Sequence, residues 1–424
     1  MGKIRLAKFS LLIILSLSIL ASVKGVPMSK SITSFGEIEY LMDTLSLKRF
    51  TGPKHFSNVN ANQIAELFDM SKVWPWDETK IREVYRIRRD FKALLNRNIR
   101  AISNTSLDEW QTAFENNLLL KDAYGNLIYV LGWPQNYVVD IGNPDYQAWV
   151  ANWIEEHIDL YGYDGVFADC SFDSLATQQW FGLSATPINP RTGTNWTDAE
   201  VRQAQIQLHL TIKRAIGSKL LVSNGIMEGT RFWRNYNGYM ELLSNSSLDG
   251  IMSEALWYQY RGVWMTEEQW LNSLKMLVWF QDNFLQGKPE RVYVPTCKIE
   301  SFGGESYPLP LGVTGKQMAT YALASTLLGI KTNQTYLCLQ ANPNFTKQVI
   351  QPLFDIEVGA PKNSYYVIEG THVYARDFSN IKVLVNPTEH PYTIDLQGTF
   401  KTPDGWIVTD ITMEPYSGGI LTKT

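Results

Sequence analysis

The feature that most restricts this chain is a repeated alternation. Short apolar runs closed by turn residues are each followed by a segment with helical spacing, from about residue 45 to residue 350. Eight runs fit a strand. The first lies within residues 29–60, and the second is an apolar strand through Leu67, Phe68 and Met70. KALLNRNIRAIS, GVFAD, KLLVSNG, DGIMS, RVYVPTCKI and QTYLCLQ complete the set. Parallel neighbours need long crossovers, and strands that alternate with helices pack as a parallel sheet covered by those helices. The count and the length favour closure into a (β/α)8 TIM barrel. No Gly-rich phosphate fingerprint follows any strand, which counts against an open dinucleotide-binding sheet.

The helical segments carry their own punctuation. Asn143 and Pro144 open a helix in which Tyr146, Trp149, Val150, Trp153, Ile154 and Ile158 recur on one side, and Gly162 closes it. Thr266 and Gln269 form a capping box for another. From about Gly359 the period changes to two, in SYYVIEG, THVYARDFS, IKVLVNPT, YTIDLQ and GWIVTDI. That pattern predicts a small antiparallel β-sandwich. The expected organisation is a signal peptide over 1–25, a lead-in segment over 26–44, the barrel over 45–355 and the sandwich over 356–424.

The signal peptide is read from Lys3, Arg5 and Lys8 ahead of an apolar run from Phe9 to Leu20, with small residues near Ala21 to Gly25. The run is too short for a confident membrane span. Removal near Gly25 is expected, with an uncleaved anchor as the alternative, so the chain is expected to be secreted or held at the cell surface. Sequons at Asn104, Asn195, Asn245, Asn333 and Asn344 fit that address. Three Cys are too few for a disulfide framework; Cys297 and Cys338 either pair across neighbouring strands or stay as buried thiols.

A net charge of -4 without a basic run offers phosphates no footprint, so a nucleic-acid partner is excluded. Aromatic residues make up 12% of the chain, enough to line a cleft that stacks the flat faces of sugar rings as well as to fill a core. The five His are scattered without metal-ligand spacing, and no cofactor or metal is expected. No Gly-x-Ser-x-Gly elbow supports a serine nucleophile.

In a parallel barrel the carboxyl ends of the strands carry the chemistry, because the loops there converge on one mouth. Two runs deliver a carboxylate at that end: YGYDGVFAD ends on Asp169, with Asp173 close behind, and DGIMSE ends on Glu254. Breaking a glycosidic bond takes two such groups, one donating a proton to the leaving oxygen and one attacking or activating water. Asp169 fits the short, fixed nucleophile and Glu254 the longer proton donor. Glu228 is the reserve carboxylate, and Asp140 is expected to order the turn before its helix. Asp69 either meets a sugar hydroxyl or caps its own loop. Asn224 stands at a strand tip as a candidate contact to a ring hydroxyl; Trp74, Trp76, Trp257, Tyr258 and Tyr293 are candidate stacking surfaces, each with rim packing as its alternative; and Lys298 either steadies an anionic intermediate or substrate group or is simply solvated.

VVDIGNPDYQAW with YGYDGVFADC, then DGIMSE, then YARDFSNIKVLVNPT and EPYSGGIL, resemble the hypothetical glycosyl hydrolases that join a barrel to a C-terminal β-sandwich. More distantly the chain is similar to endo-α-1,4-polygalactosaminidase and α-galactosidase types of barrel. In the α-galactosidase type the fourth strand carries the nucleophilic Asp and the sixth the acid, which by position implies Asp169 and Glu254. That type has Asp at the second place, so Glu254 is a departure. The resemblance implies an exported glycoside hydrolase. The alternatives are a non-catalytic carbohydrate-binding protein on a degenerate barrel, or a transglycosylase.

Overall fold

In the computed structural model, which describes residues 45, 47–52, 59–171, 182–258, 262–299 and 309–424, the alternation resolves into a closed barrel. Its first strands are β1 (Lys48–Thr51), β2 (Met70–Val73) and β3 (Lys92–Asn98). An excursion then adds β4 (Ala101–Ser103), β5 (Tyr129–Val130) and β6 (Trp133–Val138), which form a separate antiparallel sheet in the order β4-β6-β5. The barrel continues with β7 (Gly165–Asp169), β8 (Leu220–Ile226), β9 (Gly250–Ser253), β10 (Val292–Lys298) and β11 (Tyr336–Gln340). β11 returns to β1 and every barrel pair is parallel, giving the expected TIM barrel. The predicted signal peptide, the lead-in segment and Asp173 lie outside the described residues.

The second strand is shorter than its apolar run suggests. Ala61–Leu67 is a helix, opened by a reciprocal capping box between Asn60 and Gln63, and only Met70–Val73 is strand. Four apolar residues in seven served a helix face there, an ambiguity that short runs always carry. The other helices begin and end on their punctuation. Pro144–Tyr161 starts at Asn143, whose side chain accepts the Asp145 N–H, and stops at Gly162 with φ 71°.

Strand parity divides the core into two shells. One residue set, Phe50, Met70, Leu94, Phe167, Val222, Met252, Val294 and Cys338, fills the barrel interior with a member from each strand. Their neighbours, among them Leu95, Val166, Ile251, Tyr293 and Cys297, pack outward against the helices. Cys297 and Cys338 therefore point to opposite sides of the barrel wall, and both are free thiols.

The C-terminal strands are β12 (Tyr366–Val367), β13 (Tyr374–Asp377), β14 (Ile381–Asn386), β15 (Tyr392–Lys401), β16 (Ile407–Met413) and β17 (Ser417–Lys423). They form one antiparallel sheet in the order β12-β13-β14-β17-β15-β16, with a register shift in β15 between Asp395 and Phe400. One face encloses its own cluster of Val373, Leu384, Ile394, Phe400, Met413 and Leu421. The other lies on the helix Gly315–Gly329, so closely that a Cβ at Gly418 would come within 2.7 Å of the Thr320 carbonyl. The buried Arg376 finishes that helix from outside: its Nη1 donates to the carbonyls of Leu327, Leu328 and Ile330 at 3.0, 3.1 and 2.7 Å. Carbonyls at a helix end lack partners of their own, and a cation is the favoured donor there.

Candidate active site

The apolar interior stops before the strands do. Carrying the inward parity toward the carboxyl ends brings up Lys72 on β2, Asn96 and Asn98 on β3, Asp169 on β7 and Asn224 on β8. Glu254 just past β9, Thr296 and Lys298 on β10 and Gln340 on β11 complete the ring. The registers Asn98 with Asp169, Lys72 with Leu94, and Lys298 with Gln340 agree with this assignment. A barrel that is apolar at mid-height and polar at its mouth holds its chemistry at that mouth.

Among the described residues Asp169 is held by donors alone. Asn224 Nδ2 donates to its Oδ1 at 2.8 Å, the Cys170 N–H donates to the same oxygen at 3.0 Å, and Lys72 Nζ stands 3.8 Å from Oδ2. Lys72 is itself positioned by the face of Phe167, 4.3 Å from its centroid. The turn after Asp169 is pinned as well: Cys170 takes φ 62°, while Ser171 donates from N to the Asn224 carbonyl and from Oγ to that of Ala168, both at 2.8 Å. A non-glycine residue in the left-handed region costs energy that the surroundings must cover, and such residues gather at working sites.

Glu254 repeats the turn but not the grip. Its N–H donates to the Ile226 carbonyl at 3.1 Å and Ala255 behind it takes φ 55°. Among the described residues its carboxylate takes no hydrogen bond or ion pair. Both acids act on one thiol: burial pushes the Cys170 thiol well up, and the charges of Asp169 and then Glu254 push it further. On the opposite wall burial pushes the Cys338 thiol up to about 12, with Lys72 drawing it down, Glu254 adding to the rise and Lys298 opposing it. The charged groups thus converge on one small volume.

Beside Asp169 a cleft of about 430 Å³ runs outward over the tip of β3, between the loop Trp74–Trp76 and the excursion strands. Trp74 and Trp76 stack at 5.4 Å, and Trp76 is 74% exposed. Across from them stand Trp133, Asn136 and Trp153. Arg97 lines the inner part, its Nη1 donating to both oxygens of Glu109 at 2.9 Å and its guanidinium lying 4.1 Å over Trp153.

Of the residues singled out in the sequence, Asp169, Glu254, Asn224, Lys298, Trp74 and Trp76 come to this end of the barrel. Asn224 spends its amide on Asp169. Four do not reach the site. Asp69 precedes β2, at the amino end, where it accepts the Arg49 N–H at 2.6 Å and Arg88 Nη2 at 2.5 Å. Trp257 is buried against Trp270, with its Nε1 donating to Thr326 Oγ1 at 3.1 Å. Tyr258 is equally buried and donates to the Lys298 carbonyl at 2.6 Å, and Tyr293 faces the helices, stacked on Phe280 with its hydroxyl on Ser253. Nearness to a strand tip misled for these aromatics, because the parity that turns Glu254 and Lys298 inward turns Tyr293 outward. Glu228 precedes its helix and pairs with Arg231 at 3.6 Å, and Asp140 orders its turn through two 3.0 Å bonds from Arg191.

The sequence reading missed Lys72, Asn96, Arg97 and Gln340. Parity counted from Asp169 across the registers would have found the inward three, since KALLNRN alternates Leu94, Asn96 and Asn98 on one face. Among the described residues no group of three or more His, Cys, Asp or Glu could hold a metal ion, and no helix is long and apolar enough to cross a membrane.

Among solved structures the fold is widely shared. An α-amylase from Anoxybacillus superposes with a TM-score of 0.51 at 10% identity, over 89% of this chain and 98% of that one. The maltogenic α-amylase AmyB from Thermotoga neapolitana gives 0.50 at 9%, over 89% and 96%. Ttha1563 from Thermus thermophilus gives 0.50 at 13%, over 86% and 89%. Identities this low speak for the architecture alone. No curated protein matches the chain in sequence. The model of hypothetical glycosyl hydrolase family 15, in contrast, matches residues 100–382, a span that contains both Asp169 and Glu254 and most of the barrel. By that match the chain belongs to hypothetical glycosyl hydrolase family 15.

Proposed function

We propose that the chain hydrolyses O-glycosidic bonds of an oligosaccharide or polysaccharide, with Asp169 as nucleophile or base and Glu254 as proton donor. The observation that carries this reading is the unequal treatment of two carboxylates that share one barrel mouth. Asp169 is fixed by Asn224, Cys170 and Lys72, all donors, which suits a group that must present a lone pair at one point. Among the described residues Glu254 has no such ties, which suits a group that must meet a leaving oxygen. The reaction needs one group of each kind on opposite sides of the anomeric carbon. Trp74 and Trp76 offer flat faces on which a second ring of the substrate would stack.

The reading includes export, on the strength of the N-terminal sequence, and modification at sequons whose Asn104, Asn195, Asn245 and Asn344 are exposed. The test is a screen of the secreted chain against a panel of polysaccharides with reducing-end detection. New reducing ends that disappear in Asp169→Asn, with the circular dichroism unchanged, support the proposal. Glycan binding without any release of ends points instead to a carbohydrate-binding protein. Products longer than the substrate when an acceptor sugar is added would identify a transglycosylase.

A further inference from the structure

Two side chains beside Asp169 are buried with their hydrogen-bonding capacity unspent. Lys72 is 9% exposed, and among the described residues its Nζ makes no hydrogen bond; Asp169 Oδ2, at 3.8 Å, pairs with it in charge but lies beyond bonding reach. Asn96 is 4% exposed, and its Oδ1 is shut off from solvent with no donor beside it. The two flank one ring: Lys72 Nζ stands over Phe167, and Asn96 is the register partner of Phe167 on the neighbouring strand. Asn96 also lines the inner end of the cleft beside Asp169. Buried polar groups without partners are rare, and each calls for an explanation.

The place of Lys72 says which part of a sugar it meets. With an anomeric carbon at Asp169, the ring positions nearest the carboxylate are the two neighbours of that carbon, the ring oxygen and C2. The transition state builds positive charge on the anomeric carbon and the ring oxygen. A cation against the ring oxygen opposes that charge, so the productive pose turns the C2 side toward Lys72. A lysine offers three N–H donors and accepts nothing. A hydroxyl on C2 accepts from it. That hydroxyl, or its neighbour on C3, can in turn donate to Asn96 once a half-turn about the soft terminal torsion of the amide brings Oδ1 to the cleft. A bare C2 leaves the lysine without an acceptor, and an ammonium on C2 sets two positive charges face to face in a nearly dry site.

We infer that Lys72 reads the C2 position of the sugar at Asp169 and admits a ring with a hydroxyl there, so that the substrate is a glycan of 2-hydroxy sugars, and 2-amino and 2-deoxy rings are refused at that place. This rests on the reading of Asp169 as the group that works at the anomeric carbon. Asn96 completes the recognition from the neighbouring strand.

The test offers the full chain pairs of oligosaccharides that differ only at C2. Cello-oligosaccharides are set against chitosan oligosaccharides, α-1,4-galactan against α-1,4-polygalactosamine, and malto-oligosaccharides against their 2-amino-2-deoxy analogues, at an acidic pH where the sugar amine carries its proton. Cleavage is read from reducing ends and binding by calorimetry. In at least one pair kcat/KM for the hydroxyl member should exceed that for the amino member by roughly 10²-fold or more. Lys72→Met should slow cleavage of the hydroxyl member and bring the ratio close to one, and Lys72→Arg, which keeps a charged donor, should preserve it. A lysine that only orders Asp169 would slow both members alike and leave the ratio where it was, and that result overturns the inference. Equal handling of every pair by the native chain, a preference for an amino member, or no binding of any member overturns it as well, and these three hold even should Lys72→Met fail to fold. Tighter binding of the hydroxyl member, lost in Lys72→Met, with no cleavage of either leaves the inference standing and removes the hydrolase reading. Equal cleavage of both members does the reverse.

Discussion

The fourth and sixth barrel strands have an acid at or beside each end, five residues apart: Asp164 just before β7 and Asp169 at its last position, Asp249 just before β9 and Glu254 just after it. At the amino end the carboxylates are struts. Asp164 accepts the Tyr85 hydroxyl at 2.6 Å and the Ala93 N–H at 2.8 Å; Asp249 accepts Lys213 Nζ at 2.7 Å and the Leu221 N–H at 2.8 Å. Asp69 does the same for β2. Each ties the backbone of a neighbouring strand to a side chain from the helical layer or its flank. At the carboxyl end Asp169 is gripped so as to be aimed, and Glu254 has no such grip among the described residues. The lesson is that the kind of residue says little and its place along the strand says much: one end uses the carboxylate to hold the barrel, the other to present it.

The largest effect that would break this contrast is at Asp169. Asp169→Asn should lower turnover on the order of 10³-fold or more with the urea midpoint unchanged. Equal activity would make the mouth acid one more strut. Glu254→Gln should cost roughly 10²-fold on natural glycosides, within the range for a lost general acid, and much less on aryl glycosides whose leaving group departs without a proton. An equal loss on both substrates would take the proton-donor role away from Glu254.

A stability measurement sharpens the contrast from the mouth side. Arg100, after β3, donates to Gln205 Oε1 at 3.1 Å, and Gln205 Nε2 lies 2.9 Å from His209 Nε2. Burial, with the Arg100 charge acting in the same direction, pushes the His209 imidazole from 6.5 down to about 3. Between those values the unfolded chain holds the extra proton, so stability falls as the pH drops below 6.5. At pH 5 this one group should cost about 2 kcal/mol, and nothing above pH 7. His209→Gln should flatten that part of the profile in urea titrations at pH 5 and pH 7. A slope that persists would place the acid sensitivity elsewhere.

The barrel was legible because each strand and its crossover wrote the same message, apolar run then helical period, and the capping residues Asn143, Gly162 and Thr266 marked helix ends. Asp169 and Glu254 were legible for the same reason, as acids placed where a strand gives out. The misreadings share one cause. Asp69 was placed on the second strand because Leu67 and Phe68 had been read as part of that strand, whereas Leu67 ends a helix and the strand begins only at Met70. Trp257, Tyr258 and Tyr293 were assigned by nearness to a tip, but a side chain's direction depends on parity and on partners such as Thr326 and Phe280 that lie far away in sequence. Lys72 escaped notice because its meaning is its distance to Asp169, which no local pattern carries.

The smallest effect probes the strut end. Gly250 follows Asp249, and a Cβ there would meet Val292 Cγ2 at 2.5 Å, so the strand start leaves no room for a side chain at that position. Asp249→Asn keeps an oxygen for the Leu221 N–H and gives up the charge opposite Lys213, a pair only partly exposed to solvent. The loss should be about 1 kcal/mol, read as a lower urea midpoint with an unchanged slope. Turnover per folded molecule should stay as it was, because the altered group lies at the far end of β9 from Glu254. If Asp249→Asn instead lowered turnover tenfold with no loss of stability, the amino end of the strand would be coupled to the chemistry, and the division of labour between the two ends would have to be given up.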